Sequence, residues 1–123
     1  MIHGIGTDIV DIRRIESVLK KNGDRFKEKI FSEAEIAAAK KIRDKKKKIS
    51  YFAKRFAAKE AFAKATGKGI GEFAAFKDIS IENEKSGKPF IKLRNKKMSN
   101  IYVSLSDEYP YAQAFVVIGK NRK

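Results

Sequence analysis

Apolar residues recur every three or four positions through most of the first half of the chain, which is the spacing of a helix with one buried face. This pattern predicts three helices, over residues 11–21, 32–43 and 49–66. Gly23 is expected to end the first helix and Gly67 to end the third. The second helix is predicted to begin with a capping box, with Ser32 as the N-cap and Glu35 three residues later.

In the second half, apolar and polar residues alternate, which is the period of a half-buried strand. The alternation predicts a hairpin of strands 78–82 and 90–94, and a further strand over 101–108. Residues 111–119 are apolar on both faces, which predicts a central strand or one covered by another subunit. With a strand over 2–10, the chain is predicted to form one domain, residues 1–123. Its class is α+β, with a mainly antiparallel sheet packed against a long helix.

Composition narrows the class of protein. The 123 residues include 29 Lys and Arg against 15 Asp and Glu, a net charge of +14. The positive electrostatic field of so charged a domain attracts nucleic acid, anionic membranes, acidic proteins and phosphate-rich cofactors alike. The absence of cysteine excludes disulfides, thiolate metal sites and a cysteine nucleophile. Without a signal peptide or an apolar run near the roughly 20 residues of a membrane span, we expect a cytoplasmic protein with no membrane attachment.

Two carboxylates occupy unusual positions in this pattern. Asp8 follows Gly4 and Gly6 and lies between apolar residues of a predicted strand, so it is either a cap for the first helix or a metal ligand. Glu60 continues the apolar stripe of the long helix. Either the stripe ends there and Glu60 reaches water or pairs with Lys64, which spacing favours, or Glu60 lies at the rim of the core and binds a ligand. Together the two acids would suit Mg²⁺, which prefers one or two carboxylates with waters and substrate phosphates.

Glycines and basic residues flank the long helix. Glycines at 67, 69 and 71 bring backbone N–H groups within reach of a ligand, and such turns beside a lysine often bind phosphate. The order of a P-loop is absent, and glycines at a helix exit are common. The basic run 40–48 is expected to be a solvated loop or helix end. His3 is interpreted as an ordinary strand residue.

Four segments resemble, in order and separation, the motifs of the holo-acyl-carrier-protein synthases, the small bacterial class of phosphopantetheinyl transferases. They are GIGTDIVDIRRIE (4–16), RFAAKEAFAKATGKGIG (55–71), SGKP (86–89) and VSLSDEYPYAQAFVVI (103–118). The resemblance implies the 4′-phosphopantetheinyl transferase fold and a homotrimer with active sites at subunit interfaces. It also implies Mg²⁺-dependent transfer of 4′-phosphopantetheine from coenzyme A to a serine of apo-acyl carrier protein, in support of fatty acid biosynthesis. The by-product would be adenosine 3′,5′-bisphosphate.

The resemblance also implies roles for single residues. Asp8 and Glu60 match the metal-binding acids, and Lys64 matches a lysine that contacts a coenzyme A phosphate; these three are the predicted catalytic residues. Arg14 matches a basic position that docks the acidic carrier protein. The other residues that match positions of the coenzyme A site are Arg55, Gly67, Gly69, Gly87, Lys88, Pro89 and Asp107.

Three points stay open at the level of sequence. The base that takes the serine proton is Glu60, Asp8 or a metal-bound water, with a water held by Glu60 preferred. Asp107 stands where some members have a histidine, which puts any role of that histidine in doubt here. The segment 94–100 is short, so a helix found there in relatives is expected to be reduced to a turn.

Two other functions are alternatives to the enzyme. A basic nucleic-acid-binding module would place aromatic residues among basic ones on an exposed sheet, whereas the phenylalanines here recur at helical spacing with alanine. A non-catalytic binder of coenzyme A or of the carrier would be expected to lose Asp8 or Glu60, and both are present.

Overall fold

The structure, a computed structural model, describes residues 1–69 and 75–120. The described elements are β1 (Ile2–Asp11), α1 (Ile12–Ile30), α2 (Glu33–Lys40), α3 (Lys45–Thr66), β2 (Ile79–Asn83), β3 (Pro89–Leu93), β4 (Lys96–Lys97), β5 (Ile101–Glu108) and β6 (Tyr111–Gly119), with a short 3₁₀ turn over Phe76–Asp78 before β2. This confirms the predicted α+β class. No helix in the described ranges is both long enough and apolar enough to cross a membrane.

The strands form two antiparallel sheets of three strands each, where one mainly antiparallel sheet was expected. One sheet has the order β1-β6-β5 and the other β2-β3-β4. β6 pairs with both of its neighbours, which confirms its predicted central position. The inner face of the first sheet carries Val10, Ala112, Ala114 and Val116, which are buried and pack with α3.

Two glycines of β1 allow the strand to run directly against α3. A Cβ atom at Gly4 would lie 2.1 Å from the carbonyl oxygen of Ala65, and one at Gly6 would lie 2.1 Å from that of Ala61. Both are backbone atoms of the helix and cannot turn aside as a side chain can. The glycines therefore serve the packing of strand on helix, which brings Asp8 alongside the last turns of α3.

The first helix kinks at its predicted end. Asn22 leaves helical geometry (φ −141°, ψ 47°) one residue before Gly23, so the predicted helix over 11–21 ends there, and a second helical segment continues α1 to Ile30. Phe26 and Ile30 lie on this second segment and pack into the core. Burial of these side chains favours a helix after the kink, although glycine has a helix propensity about 1 kcal/mol less favourable than alanine.

The basic run lies across a helix boundary. α2 has the predicted capping box but ends at Lys40, and α3 begins at Lys45. The Asp44 side chain caps α3 by accepting hydrogen bonds from the backbone N–H groups of Lys46 and Lys47. Residues 45–48 therefore form the first turn of α3, four residues before the predicted start.

The turns of the second sheet agree with the sequence pattern. Gly87 has a φ of 94° in the hairpin turn between β2 and β3, a conformation that favours glycine. Arg94 and Asn95 also have positive φ and turn the chain from β3 into β4. The connection over 94–100 has no helix, as expected, but it includes the short strand β4 between two turns and is more than a turn.

Candidate active site

Asp8 projects from β1 towards the end of α3, and its side chain is 19% exposed. The ammonium group of Lys64 donates hydrogen bonds to Asp8 Oδ1 at 3.0 Å and to the carbonyl oxygen of Thr7 at 3.1 Å. Asp8 is not the helix cap, because Asp11 caps α1 by accepting from the backbone N–H of Arg13 at 2.9 Å. Of the two roles left open for Asp8, the structure excludes the cap.

Glu60 lies one turn before Lys64 on α3 and is partly buried. Burial raises the pKa of the Glu60 carboxyl, and the neighbouring Asp8 carboxylate raises it further, while Lys64 and Arg14 act in the opposite direction. These four residues therefore form one electrostatic site, although they come from β1, α1 and α3. The ion pair of Lys64 is with Asp8, not with Glu60 as the alternative from spacing suggested.

The donor set of this site suits a hard divalent cation. Asp8 and Glu60 repel each other as anions, and a shared cation would relieve that repulsion. Within residues 1–69 and 75–120, no group of three or more carboxylate or histidine side chains is arranged to hold a metal ion. Two carboxylates are nevertheless enough for Mg²⁺, which completes its six ligands with water and substrate phosphate.

A cavity of about 610 Å³ opens beside the two acids, lined by Glu60, Ala63, Lys64, Gly67, Lys68 and Gly69. Gly67 ends α3 in the left-handed conformation (φ 76°), as predicted, and its N–H donates to the carbonyl of Lys64. That N–H is therefore used within the protein. Gly71, the third glycine of the predicted turn, lies outside the described residues.

Arg55 and Asp107 belong to a second and larger cavity of about 880 Å³, which also includes Lys46, Lys47 and Lys54. Arg55 is only 4% exposed. Its guanidinium donates to Asn83 Oδ1 at 2.9 Å and lies over the ring of Tyr51, 3.9 Å from the centroid.

Asp107 is held at the edge of this larger cavity by two neighbours. Its carboxylate accepts a hydrogen bond from Ser50 Oγ at 2.6 Å and pairs with Lys54 Nζ at 3.5 Å. Neither Ser50 nor Lys54 is distinguished by the sequence pattern. Only the fold brings them to β5 from a helix about fifty positions earlier.

Two separate clusters hold the predicted site residues of the helices and of β5, and the hairpin residues lie in neither. Arg55 and Glu60 are five positions apart on α3, which corresponds to about 140° of rotation and about 7.5 Å of rise. They therefore face different sides of the helix. Gly87, Lys88 and Pro89 lie at the hairpin between β2 and β3 and line neither cavity.

A fully buried ion pair beside the site was missed at the level of sequence. Lys59 Nζ lies 2.7 Å from Glu35 Oε1, and both side chains are inaccessible to solvent. Burial lowers the pKa of Lys59, and the Glu35 carboxylate opposes that effect. Lys59 is three residues after Phe56 and seven after Phe52, so the apolar stripe of α3 could have identified its position as buried.

The sequence model of the 4′-phosphopantetheinyl transferase superfamily matches residues 4–116 of this chain. A holo-[acyl-carrier-protein] synthase from Wolbachia sp. subsp. Drosophila simulans is 50% identical over 118 residues, which cover 96% of this chain and 98% of the relative. The protein of that name from Anaplasma phagocytophilum is 47% identical over 120 residues, again with coverage of 96% and 98%.

Solved structures show the same likeness. The crystal structure of holo-[acyl-carrier-protein] synthase from Neisseria meningitidis has a TM-score of 0.85 and 38% identity, and covers 98% of this chain and 100% of its own. The Bacillus anthracis synthase, crystallised in complex with CoA (3′,5′-ADP), has a TM-score of 0.83 and 38% identity, with 96% of both chains covered. The likeness therefore extends over almost the whole chain in both sequence and fold.

Proposed function

Because this chain belongs to the 4′-phosphopantetheinyl transferase superfamily, we propose that it transfers 4′-phosphopantetheine from coenzyme A to a serine of apo-acyl carrier protein. The by-product is adenosine 3′,5′-bisphosphate. The observation that carries this proposal is the convergence of Asp8, Glu60 and Lys64 from distant parts of the sequence into one site. The reaction would take place in the cytoplasm, and its acceptor would be the acyl carrier protein of fatty acid biosynthesis.

Each residue of the site has a task in this reaction. The serine hydroxyl attacks the phosphorus atom that carries the pantetheine arm, and the bond from this phosphorus to the bridging oxygen breaks. Adenosine 3′,5′-bisphosphate leaves with the bridging oxygen, and negative charge develops on the phosphoryl oxygens. Mg²⁺ held by Asp8 and Glu60 would offset that charge. Lys64 contributes a second positive charge from another side. A water held by Glu60 takes the serine proton, and the Glu60 carboxylate orients that water by accepting a hydrogen bond from it.

The outer face of the β1-β6-β5 sheet supports the proposed homotrimer. Ile5, Ile9, Tyr102 and Phe115 are large apolar side chains on these strands, and all four are exposed. Contiguous exposed apolar surface of this kind marks protein interfaces. In a trimer, the Arg55 and Asp107 cluster of one subunit would meet the Glu60 cluster of the next, so that coenzyme A lies between them.

The same face argues against the nucleic-acid-binding alternative. A sheet that binds RNA presents basic residues among its aromatic ones. The strands 2–11, 101–108 and 111–119 contain no lysine or arginine. The exposed aromatic residues of this sheet therefore fit another protein surface better than a phosphate backbone.

The carrier protein is proposed to dock near Arg14. This arginine is exposed on the first turn of α1 and lies close enough to lower the pKa of Glu60. A carrier bound there would deliver its serine to the two acids. The net charge of +14 would accelerate the encounter with an acidic partner.

The direct test is to incubate the protein with apo-acyl carrier protein, coenzyme A and Mg²⁺ and to measure the mass of the carrier. We expect the mass to increase by one phosphopantetheine group. Asp8→Asn and Glu60→Gln should each reduce the rate by about 10²-fold or more with an unchanged circular dichroism spectrum, because each removes charge that stabilises the transition state. Glu33→Gln, at an exposed site on α2, is the matched control. No mass gain with several carriers would refute the proposal.

A further inference from the structure

Lys59 directly precedes Glu60 on α3 but points about 100° away from it, into the protein. Its ammonium group donates all three of its protons, to Glu35 Oε1 at 2.7 Å and to the carbonyl oxygens of Ile30 at 2.8 Å and Phe76 at 3.0 Å. A fully buried lysine is rare, and here every donor has an acceptor. The contacts reach the end of α1 and the short turn before β2.

Glu35 extends this network to two further elements. Its Oε1 atom also accepts from the backbone N–H of Ser32, within the capping box of α2, and its Oε2 atom accepts from the backbone N–H of Ile81 in β2 at 2.7 Å. One buried ion pair therefore joins the end of α1, the start of α2, the middle of α3, the 3₁₀ turn and β2.

Stability by itself does not account for such a pair. Desolvation of two buried charges costs several kcal/mol per ion, and apolar residues of similar volume are often as stabilising or more so. Apolar packing, however, tolerates small rotations and shifts. Hydrogen bonds from an ammonium group to three fixed acceptors do not, because each bond weakens steeply as its angle departs from linear.

We propose that Lys59 and Glu35 are positioning residues for the active site, a proposal that rests on the function proposed above. The pair fixes the rotation of α3 about its axis, and this rotation determines whether the next residue, Glu60, faces Asp8. Lys59 also binds the carbonyl oxygen of Phe76, in the 3₁₀ turn before β2. The pair therefore anchors the chain on the far side of the connection that begins after Gly67, a residue of the cavity that Glu60 lines.

The test replaces the pair by Lys59→Met and Glu35→Met together, which keeps volume and removes the directional bonds. The variant leaves the four backbone groups that the pair binds without a partner, so we expect it to unfold cooperatively but at a lower temperature than the original protein. Its kcat should fall by about 10–100-fold, the usual cost of losing groups that orient metal ligands. Mn²⁺ affinity, measured by electron paramagnetic resonance, should fall with it, while the KM for coenzyme A changes less than kcat.

A control separates positioning from general loss of stability. Ile101→Ala creates a cavity in β5, in the β1-β6-β5 sheet, which the pair does not contact, and should lower the melting temperature by at least as much. Assayed well below its transition, this variant should keep its original kcat. If it loses as much kcat as the double variant, or if the double variant keeps the original kcat and Mn²⁺ affinity, the proposal is overturned. Should the double variant not fold, Lys59→Gln, which retains a donor, carries the same comparison.

A readout independent of catalysis distinguishes this proposal from the proposed function. The chain has no cysteine, so Asp8→Cys with Glu60→Cys introduces one defined pair of thiols. We expect a short thiol-specific cross-linker to join the two positions efficiently, and the yield to drop when Lys59 and Glu35 are both replaced by methionine. An unchanged yield overturns the positioning role whether or not the protein modifies a carrier. If the original protein is inactive but cross-links as expected, only the proposed function is overturned.

Discussion

At the scale of the residue, Glu60 places a carboxyl group where ionisation is unfavourable. It lies where the apolar stripe of α3 ends, and both its partial burial and the nearby Asp8 carboxylate raise its pKa. An ionised group in such a place lowers the stability of the folded protein, since the same group is fully solvated when unfolded. The arrangement is favourable only for a function that needs a carboxylate there.

This conflict predicts a pH-dependent gain in stability from Glu60→Gln in protein treated with a chelator. The folded-state pKa lies above the unfolded one, so the ionised form is penalised at neutral pH, and the penalty disappears as pH falls below the ordinary value of about 4.5. The variant should therefore melt at a higher temperature than the original protein at pH 7, and the difference should close towards pH 4. Scanning calorimetry across this range is the measurement. The same increase in Glu33→Gln would show that the effect is not specific to the site.

At the scale of the element, the site depends on how closely β1 approaches α3. Gly4 and Gly6 allow the strand to lie against the helix carbonyls of Ala65 and Ala61, with no room for a side chain. Asp8 is two residues further along the same strand. A change in this packing would therefore move Asp8 relative to Glu60 and Lys64.

Opposite effects are predicted for two glycine-to-alanine substitutions. Gly6→Ala should destabilise the protein by roughly 1–3 kcal/mol or more, because its Cβ atom would overlap with a helix carbonyl. Gly23→Ala should stabilise it by roughly 0.5–1 kcal/mol, because Gly23 is helical and nothing lies within 4 Å of the added atom. Urea denaturation measures both. Equal effects of the two variants on stability would contradict the conclusion that Gly6 is needed for the close packing of β1 on α3.

At the scale of the whole molecule, we propose that the two clusters of predicted site residues meet across the boundary between two copies of the chain. Arg55 and Asp107 line one cavity and Glu60 and Lys64 another. The apolar face of the first sheet lies exposed in the single chain, with Ile9 61% and Phe115 42% accessible. Assembly through this face is the simplest way to cover it.

We predict that light scattering will show three times the mass of the single chain at micromolar concentration. Phe115→Lys should shift the protein to monomer, since it places a charge in the apolar face, and transfer should fall by about tenfold or more because each site would lose its second half. Ser99→Lys, at an exposed turn outside that face, should change neither property. A fully active monomer would contradict the shared site.

The order of residues along the chain by itself determined the fold class, most of the elements and the family of this protein. Alternation and helical spacing identify the α+β class, the hairpin and the central strand, because burial of one face imposes its period on the sequence. Ser32 and Glu35 mark the start of α2, because capping is a local interaction. Motif spacing also identifies the family, and with it the chemical types of the residues proposed for catalysis.

Only the tertiary structure decided which of these residues meet. Lys64 pairs with Asp8, 56 positions away, and not with its helical neighbour Glu60. Lys59 finds its partners on three other elements, and α1 resumes after the kink at Asn22 because its later apolar residues reach the core. The physical reason is the same in each case. Periodicity records which face of an element is buried, but the partner across that face is chosen by packing between segments that the sequence keeps far apart.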